Sequence, residues 1–106
     1  MTRLFQAATL GAALAFAAPS LALANAKQDR LCGEFAYMAQ QLADLRISGT
    51  KMDDAQLIVS GQYAPDQLTH LQMVPQLAAF VYALPDGQLT GDVEGGFAAQ
   101  CKAYKG

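Results

Sequence analysis

The sequence has no tryptophan, one histidine and two cysteines among its 106 residues, and only 15% of them are charged. Two cysteines and one histidine are too few for a structural zinc site. The cysteines lack the C-x-x-C spacing of a thioredoxin-like redox centre. A net charge of −2 argues against a nucleic-acid partner. Gly91, Gly95 and Gly96 fit no phosphate-binding loop. There is no G-x-S-x-G elbow, and nothing gathers Ser48 or Ser60 with the one histidine and an aspartate. With 53% apolar residues the chain is too apolar for a disordered tail, and its length fits one small domain.

The apolar residues that are present crowd toward the start. The first 24 residues hold 17 of the 56 apolar residues. Arg3 gives a short positive region. Leu4 to Ala18 is an apolar run broken only by Gln6, Thr9 and Gly11. Pro19-Ser20 stops it, and Ala22-Leu23-Ala24 supplies an A-x-A cleavage site. This is the layout of a secretory signal peptide over residues 1–24. A membrane anchor is the competing reading, but a spanning helix needs about 20 apolar residues without a breaker, and Pro19 and Ser20 fall inside any such window. No cysteine follows the apolar run directly, so a lipoprotein site is absent. The expected mature chain is a single helical domain over residues 25–106, with no integral membrane segment. It keeps six basic and nine acidic side chains, a net charge of −3. Export, to the periplasm in the first instance or to full secretion, makes a Cys32–Cys101 disulfide the expected state. On the chain-entropy model, closing a loop of roughly 70 residues stabilises by about 4 kcal/mol.

Ala, Leu and Gln supply 31 of the 82 mature residues, whereas Val, Ile and Thr supply nine. That balance favours helix over strand. The predicted fold is all-α, a small bundle of about four helices stapled by one disulfide. The first helix runs from about Lys27 to Ile47, with Leu31, Phe35, Met38, Leu42 and Leu45 on one stripe and Ala36, Ala39 and Ala43 beside it. Gly49 is its expected left-handed cap. The second is short, about Met52 to Gly61, with a capping box at Thr50 to Asp53 and an apolar face of Leu57 and Ile58. The third runs from Pro65 to Leu84, with Leu68, Leu71, Val74, Leu77, Val81 and Leu84 on one face. Pro75 kinks it or splits it, and a split is favoured slightly. Pro85-Asp86-Gly87 reads as a turn. The fourth runs from about Gly91 to Tyr104, with Thr90 as N-cap and Val93, Phe97 and Cys101 buried. Gly95-Gly96 suggests close packing against the first helix, or a later helix start. In an up-down-up-down bundle Cys32 and Cys101 lie at the same end.

Candidate chemistry is sparse. His70 reads as a helix-surface or boundary residue. Asp53 and Asp54 read as first-turn residues favoured by the helix dipole, not as an acid–base pair. No catalytic, cofactor-binding or metal-binding residue is assigned, and the chain is expected not to be an enzyme. Four tyrosines, Tyr37, Tyr63, Tyr82 and Tyr104, suit either the edge of a small core or an interaction surface, because each pairs a large apolar body with a polar tip.

Four stretches carry a resemblance: Cys32 opening a helix, Leu42…Arg46-x-x-Gly49 closing it, Val81-Tyr82-Ala83-Leu84-Pro85, and Phe97…Cys101. With these the mature chain resembles small exported bacterial helical proteins of unknown function. Size and the single long-range disulfide give it a looser likeness to HdeA-type periplasmic acid chaperones and to Tai-type immunity proteins. No functional residue carries over from any of them. Two functional expectations follow. One is a non-catalytic interaction module binding a protein partner in the cell envelope. The alternative is an HdeA-like acid-activated chaperone, since full protonation would move the side-chain charge from −3 to +7.

Overall fold

The computed structural model describes residues 26–104. The predicted leader and its cleavage site, residues 1–24, lie outside the described residues. The chain divides into two compact units, Met1–Arg30 and Leu31–Gly106. Of the first, residues 26–30 are described and are helical.

The described residues form an all-helical fold with no strand. In chain order the helices are α1 (26–47), α2 (Met52–Ser60), α3 (Leu68–Ala83), α4 (Asp86–Leu89) and α5 (Val93–Ala103). Cys32 and Cys101 are joined by a disulfide with a Cα–Cα distance of 5.6 Å. No helix among the described residues is long and apolar enough to cross a membrane.

α1 follows its pattern. Phe35, Met38 and Leu42 are buried together with Ala36, Ala39 and Ala43, while Leu31 and Leu45 pack at the edge of the core. It ends as Gly49 enters the left-handed region at φ +90. The Gly49 N–H then donates to the Arg46 carbonyl and the Thr50 N–H to the Leu45 carbonyl. This pair of bonds is a Schellman closure, which satisfies carbonyls that the helix end would otherwise leave open.

α2 departs from expectation. Its apolar face is not Leu57 and Ile58, which are 73% and 50% exposed. Ala55 and Val59, one turn apart, face the core instead. Small side chains let a nine-residue helix lie close to its neighbours, and the larger pair is left outside. The capping box at Thr50 is also absent. Lys51 is the N-cap and makes no side-chain capping bond, while the Thr50 carbonyl accepts the Tyr82 hydroxyl at 2.7 Å.

α3 is one helix of 16 residues with Pro75 inside it, so the split does not occur. Pro75 is exposed, whereas Val74, Leu77, Ala78 and Val81 on both sides of it are buried in the same core. Packing on both flanks outweighs the backbone bond that proline removes. Leu68 opens the helix and is exposed, unlike the rest of its predicted face.

The expected turn at Pro85 winds on into α4, because Leu89 at its end is buried. Thr90 closes α4 and does not cap α5: its hydroxyl donates to the Gly87 carbonyl. Asp92 is the N-cap of α5, accepting the Gly95 N–H at 2.8 Å. A Cβ on Gly95 would collide with that carboxylate. One on Gly96 would meet open space. The two glycines therefore do not mark close packing against α1.

Side-chain contacts set the directions. Glu34 and Phe35 of α1 meet His70 of α3, and Arg46 of α1 meets Val81 and Leu84 at the far end of α3. α1 and α3 therefore run parallel. Gln40 meets Glu94 and Cys32 meets Cys101, so α5 runs back along α1. Thirteen buried apolar residues, Phe35 to Val93, form the core, and no polar or charged side chain among the described residues is buried with them.

Candidate functional site

One chemistry-bearing surface follows from the outward turn of α2. With Val59 in the core, Ile58 falls beside α1. An open groove of about 360 Å³ lies between the two helices. Tyr37, Gln40, Gln41, Asp44 and Leu45 line it from α1, Ile58 and Val59 from α2, and Gln62 from the turn that follows. Tyr37 is 55% exposed. Gln40 holds one side of the wall in place: its amide donates to Asp44 at 3.0 Å and accepts the Glu94 N–H of α5 at 3.0 Å. The second bond occupies an open N–H in the first turn of α5. Gln41 Oε1 is buried and has no hydrogen-bond partner. An unsatisfied buried acceptor costs about 1–3 kcal/mol.

Beyond the Tyr37 end of the groove lies a ring cluster. His70 stacks on Tyr63 at 5.2 Å between ring centres and tilts against Phe35 at 5.4 Å. Its Nε2 is 2.8 Å from Glu34 Oε2. The His70 side chain is only 16% exposed. This is a boundary histidine, fixed on three sides. Burial pushes the Tyr63 hydroxyl above the usual tyrosine range, and the charges of Glu34 and Tyr37 push it the same way.

At the other end of α1, Arg46 donates to the Val81 and Leu84 carbonyls at 2.8 and 2.7 Å and to Asp86 at 3.1 Å. Tyr82 lies under its guanidinium, 5.9 Å from ring centre to Cζ. Burial raises the Tyr82 pKa; Arg46 opposes the shift and Asp54 adds to it. A second, smaller groove of about 150 Å³ opens where Phe80 meets Phe97 edge-on at 6.2 Å, with Gly96 at its margin.

The four tyrosines therefore serve different places. Tyr37 flanks the groove and Tyr63 stands near it, in the ring cluster. Tyr82 is bonded to the Thr50 carbonyl at the opposite end of α1, and Tyr104 is exposed after α5. The structure brings the first two together and keeps the others apart. Of the groove residues, Gln40, Gln41, Asp44 and Gln62 are not singled out in the sequence, and Ile58 is read there as part of an apolar face. Their one signal there is the recurrence of Tyr37, Gln41 and Asp44 at helical spacing on α1. Cys32 and Cys101 are bonded to each other, and no cluster of three His, Cys, Asp or Glu among the described residues could hold a metal ion. Set against known proteins, the chain matches no family model, no curated protein and no solved structure.

Proposed function

We propose that the protein is a non-catalytic interaction module of the cell envelope, exported by its leader, and that it binds a protein partner through the α1–α2 groove. One observation carries the reading. α2 buries its small side chains and presents Leu57 and Ile58 to solvent beside an exposed Tyr37 and an open groove. Scattered apolar residues on a surface are ordinary, but a groove flanked by an aromatic and an aliphatic side chain is where binding energy concentrates. The disulfide supports an oxidising compartment such as the periplasm.

The test is affinity capture of the tagged protein from native envelope extract at neutral and at acid pH. Ile58→Glu serves as the groove variant and Gln72→Glu, on the exposed face of α3, as the control. One stoichiometric partner at neutral pH, retained by the control and lost with Ile58→Glu, is the expected result. A partner bound equally by both variants sinks the groove. Many unrelated clients captured only at acid pH would replace the reading with an acid-activated chaperone.

A further inference from the structure

The chemistry of the partner follows from the charges around the groove, and the argument rests on the interaction-module reading. Glu34, Tyr37, Gln41 and Asp44 recur on α1 at spacings of 3, 4 and 3, so they share one stripe. Tyr37, Gln41 and Asp44 line the groove, and Glu34 stands past its Tyr37 end, next to Tyr63. At a rise of 1.5 Å per residue the two carboxylates are about 15 Å apart along the helix. The opposite wall brings no cation, because α2 reads MDDAQLIVS. In fact no Lys or Arg occurs between Lys51 and Lys102, a stretch that holds Asp53, Asp54, Asp66, Asp86, Asp92 and Glu94. Arg46, two residues past Asp44, is engaged by the end of α3, and the next cation in the other direction is Arg30, four residues before Glu34 and outside the groove lining. The floor is apolar, formed by Leu45, Ile58 and Val59.

We propose that this groove docks a basic segment of a partner protein, with an apolar side chain seated against Ile58, Val59 and Leu45, and Lys or Arg on either side of it meeting Glu34 and Asp44. Complementary charge of this kind steers encounter and excludes acidic competitors, and its strength falls as salt screens it. Glu34 is met by His70 and Asp44 accepts the Gln40 amide, yet both stay exposed to solvent, so a basic segment is attracted to them and an acidic one is repelled.

The test uses two labelled synthetic peptides of equal length, one alternating Lys with Leu and one alternating Glu with Leu, read by fluorescence anisotropy on the purified protein. The Lys/Leu peptide should bind at low salt and weaken as salt rises, while the Glu/Leu peptide should not bind. Ile58→Glu should weaken binding about tenfold or more, as loss of a central apolar contact does. Asp44→Asn should weaken it about threefold, in the range of a single exposed charge pair. Gln72→Lys changes the net charge by the same amount as Asp44→Asn but lies off the groove, and should change little. All three positions are exposed, and an unchanged near-ultraviolet circular dichroism spectrum certifies each fold.

No binding of the Lys/Leu peptide overturns the proposal. So does equal binding of the two peptides, or an effect of Gln72→Lys as large as that of Asp44→Asn, which would mean attraction to net charge without a site. Self-association abolished by Ile58→Glu would make the occupant a second copy, and would overturn it too. If the peptides fail while Ile58→Glu still releases a captured envelope partner, the basic segment is wrong and the interaction module stands. If both fail, neither survives.

Discussion

Arg46 shows how much one side chain can fix in a bundle this small. Its guanidinium reaches two carbonyls at the end of α3 and lies over Tyr82, so it ties α1 to α3 where the last turn leaves carbonyls open. Hydrogen bonds from a charged group are worth about 1.5–3 kcal/mol each, and removing this one takes the charged donor from the Leu84 carbonyl and leaves the Val81 carbonyl with only the Leu84 N–H. Arg46→Ala should therefore lower stability by about 2–3 kcal/mol in urea unfolding. Arg46→Lys should recover only part of it, because an ammonium lacks the planar fork. Asp86 contacts the same guanidinium but is 97% exposed, so Asp86→Ala should leave the midpoint nearly unchanged. An equal loss from Asp86→Ala would mean that the ion pair, not the carbonyl bonds, is what matters. The tyrosines give a second residue-scale test. Burial raises the pKa of both Tyr63 and Tyr82 from the usual 10.0. Their neutral form is the one that the fold prefers. Below pH 10 that preference is fully present. Above it the unfolded chain loses its phenolic protons first, so stability falls as pH rises. The double variant Tyr63→Phe/Tyr82→Phe should show a shallower alkaline decline in urea midpoint than the parent, although it is less stable at neutral pH through loss of the bond to Thr50. An identical alkaline slope in both proteins would assign the decline to other groups.

At the scale of helices, what could be read in the sequence depended on how large the inward side chains are. α1 was legible because Phe35, Met38 and Leu42 are both bulky and periodic, and its stop was legible because only Gly49 among its last residues accepts a left-handed backbone without strain. α2 was not, because its bulkiest residues are the ones outside. Periodicity ranks residues by apolarity, whereas a short helix wedged between α1 and α3 is ranked by fit, and Ala55 and Val59 fit. α3 was half legible: its stripe is real, but Pro75 carried a local penalty that burial on both sides overrides. The groove was the least legible part. Glutamine has no chemistry of its own to announce, and Gln40 matters only because the start of α5 lies against it. The assignment of α2 is open to direct measurement. Val59→Ala removes buried methyl groups and should cost about 2 kcal/mol. Leu57→Gln and Ile58→Gln should each stay within about 0.5 kcal/mol of the parent, as surface changes do. A large loss from Leu57→Gln would return α2 to the orientation read from sequence.

The described bundle depends on a cross-link between its first and last helices. α5 contributes one buried residue, Val93, and the partly buried Phe97. Beyond these it is held to α1 by the Gln40–Glu94 bond and by Cys32–Cys101, which spans 69 residues of sequence. A domain of this size seldom draws more than about 3–5 kcal/mol from its core, and closing a loop of that length is worth about 4 kcal/mol. The disulfide is thus comparable with everything else that keeps the bundle folded, and its effect is unevenly placed. α1, α2 and α3 share the buried cluster and do not need the cross-link to find one another, while α5 does. The double variant Cys32→Ala/Cys101→Ala should lose about 4 kcal/mol, and the loss should appear first at one place. Amide exchange should quicken over residues 93–103 under conditions where α1 and α3 remain protected, since the elements with the fewest buried contacts open at the lowest free energy. Uniform loss of protection through all the helices would mean that the bundle folds as a single cooperative unit and that α5 is as much a part of its core as α3. A local loss would also leave α2 and the groove face of α1 in place, so the cysteine-free variant should still bind whatever the α1–α2 groove binds, more weakly by whatever the Gln40–Glu94 bond contributes to that wall.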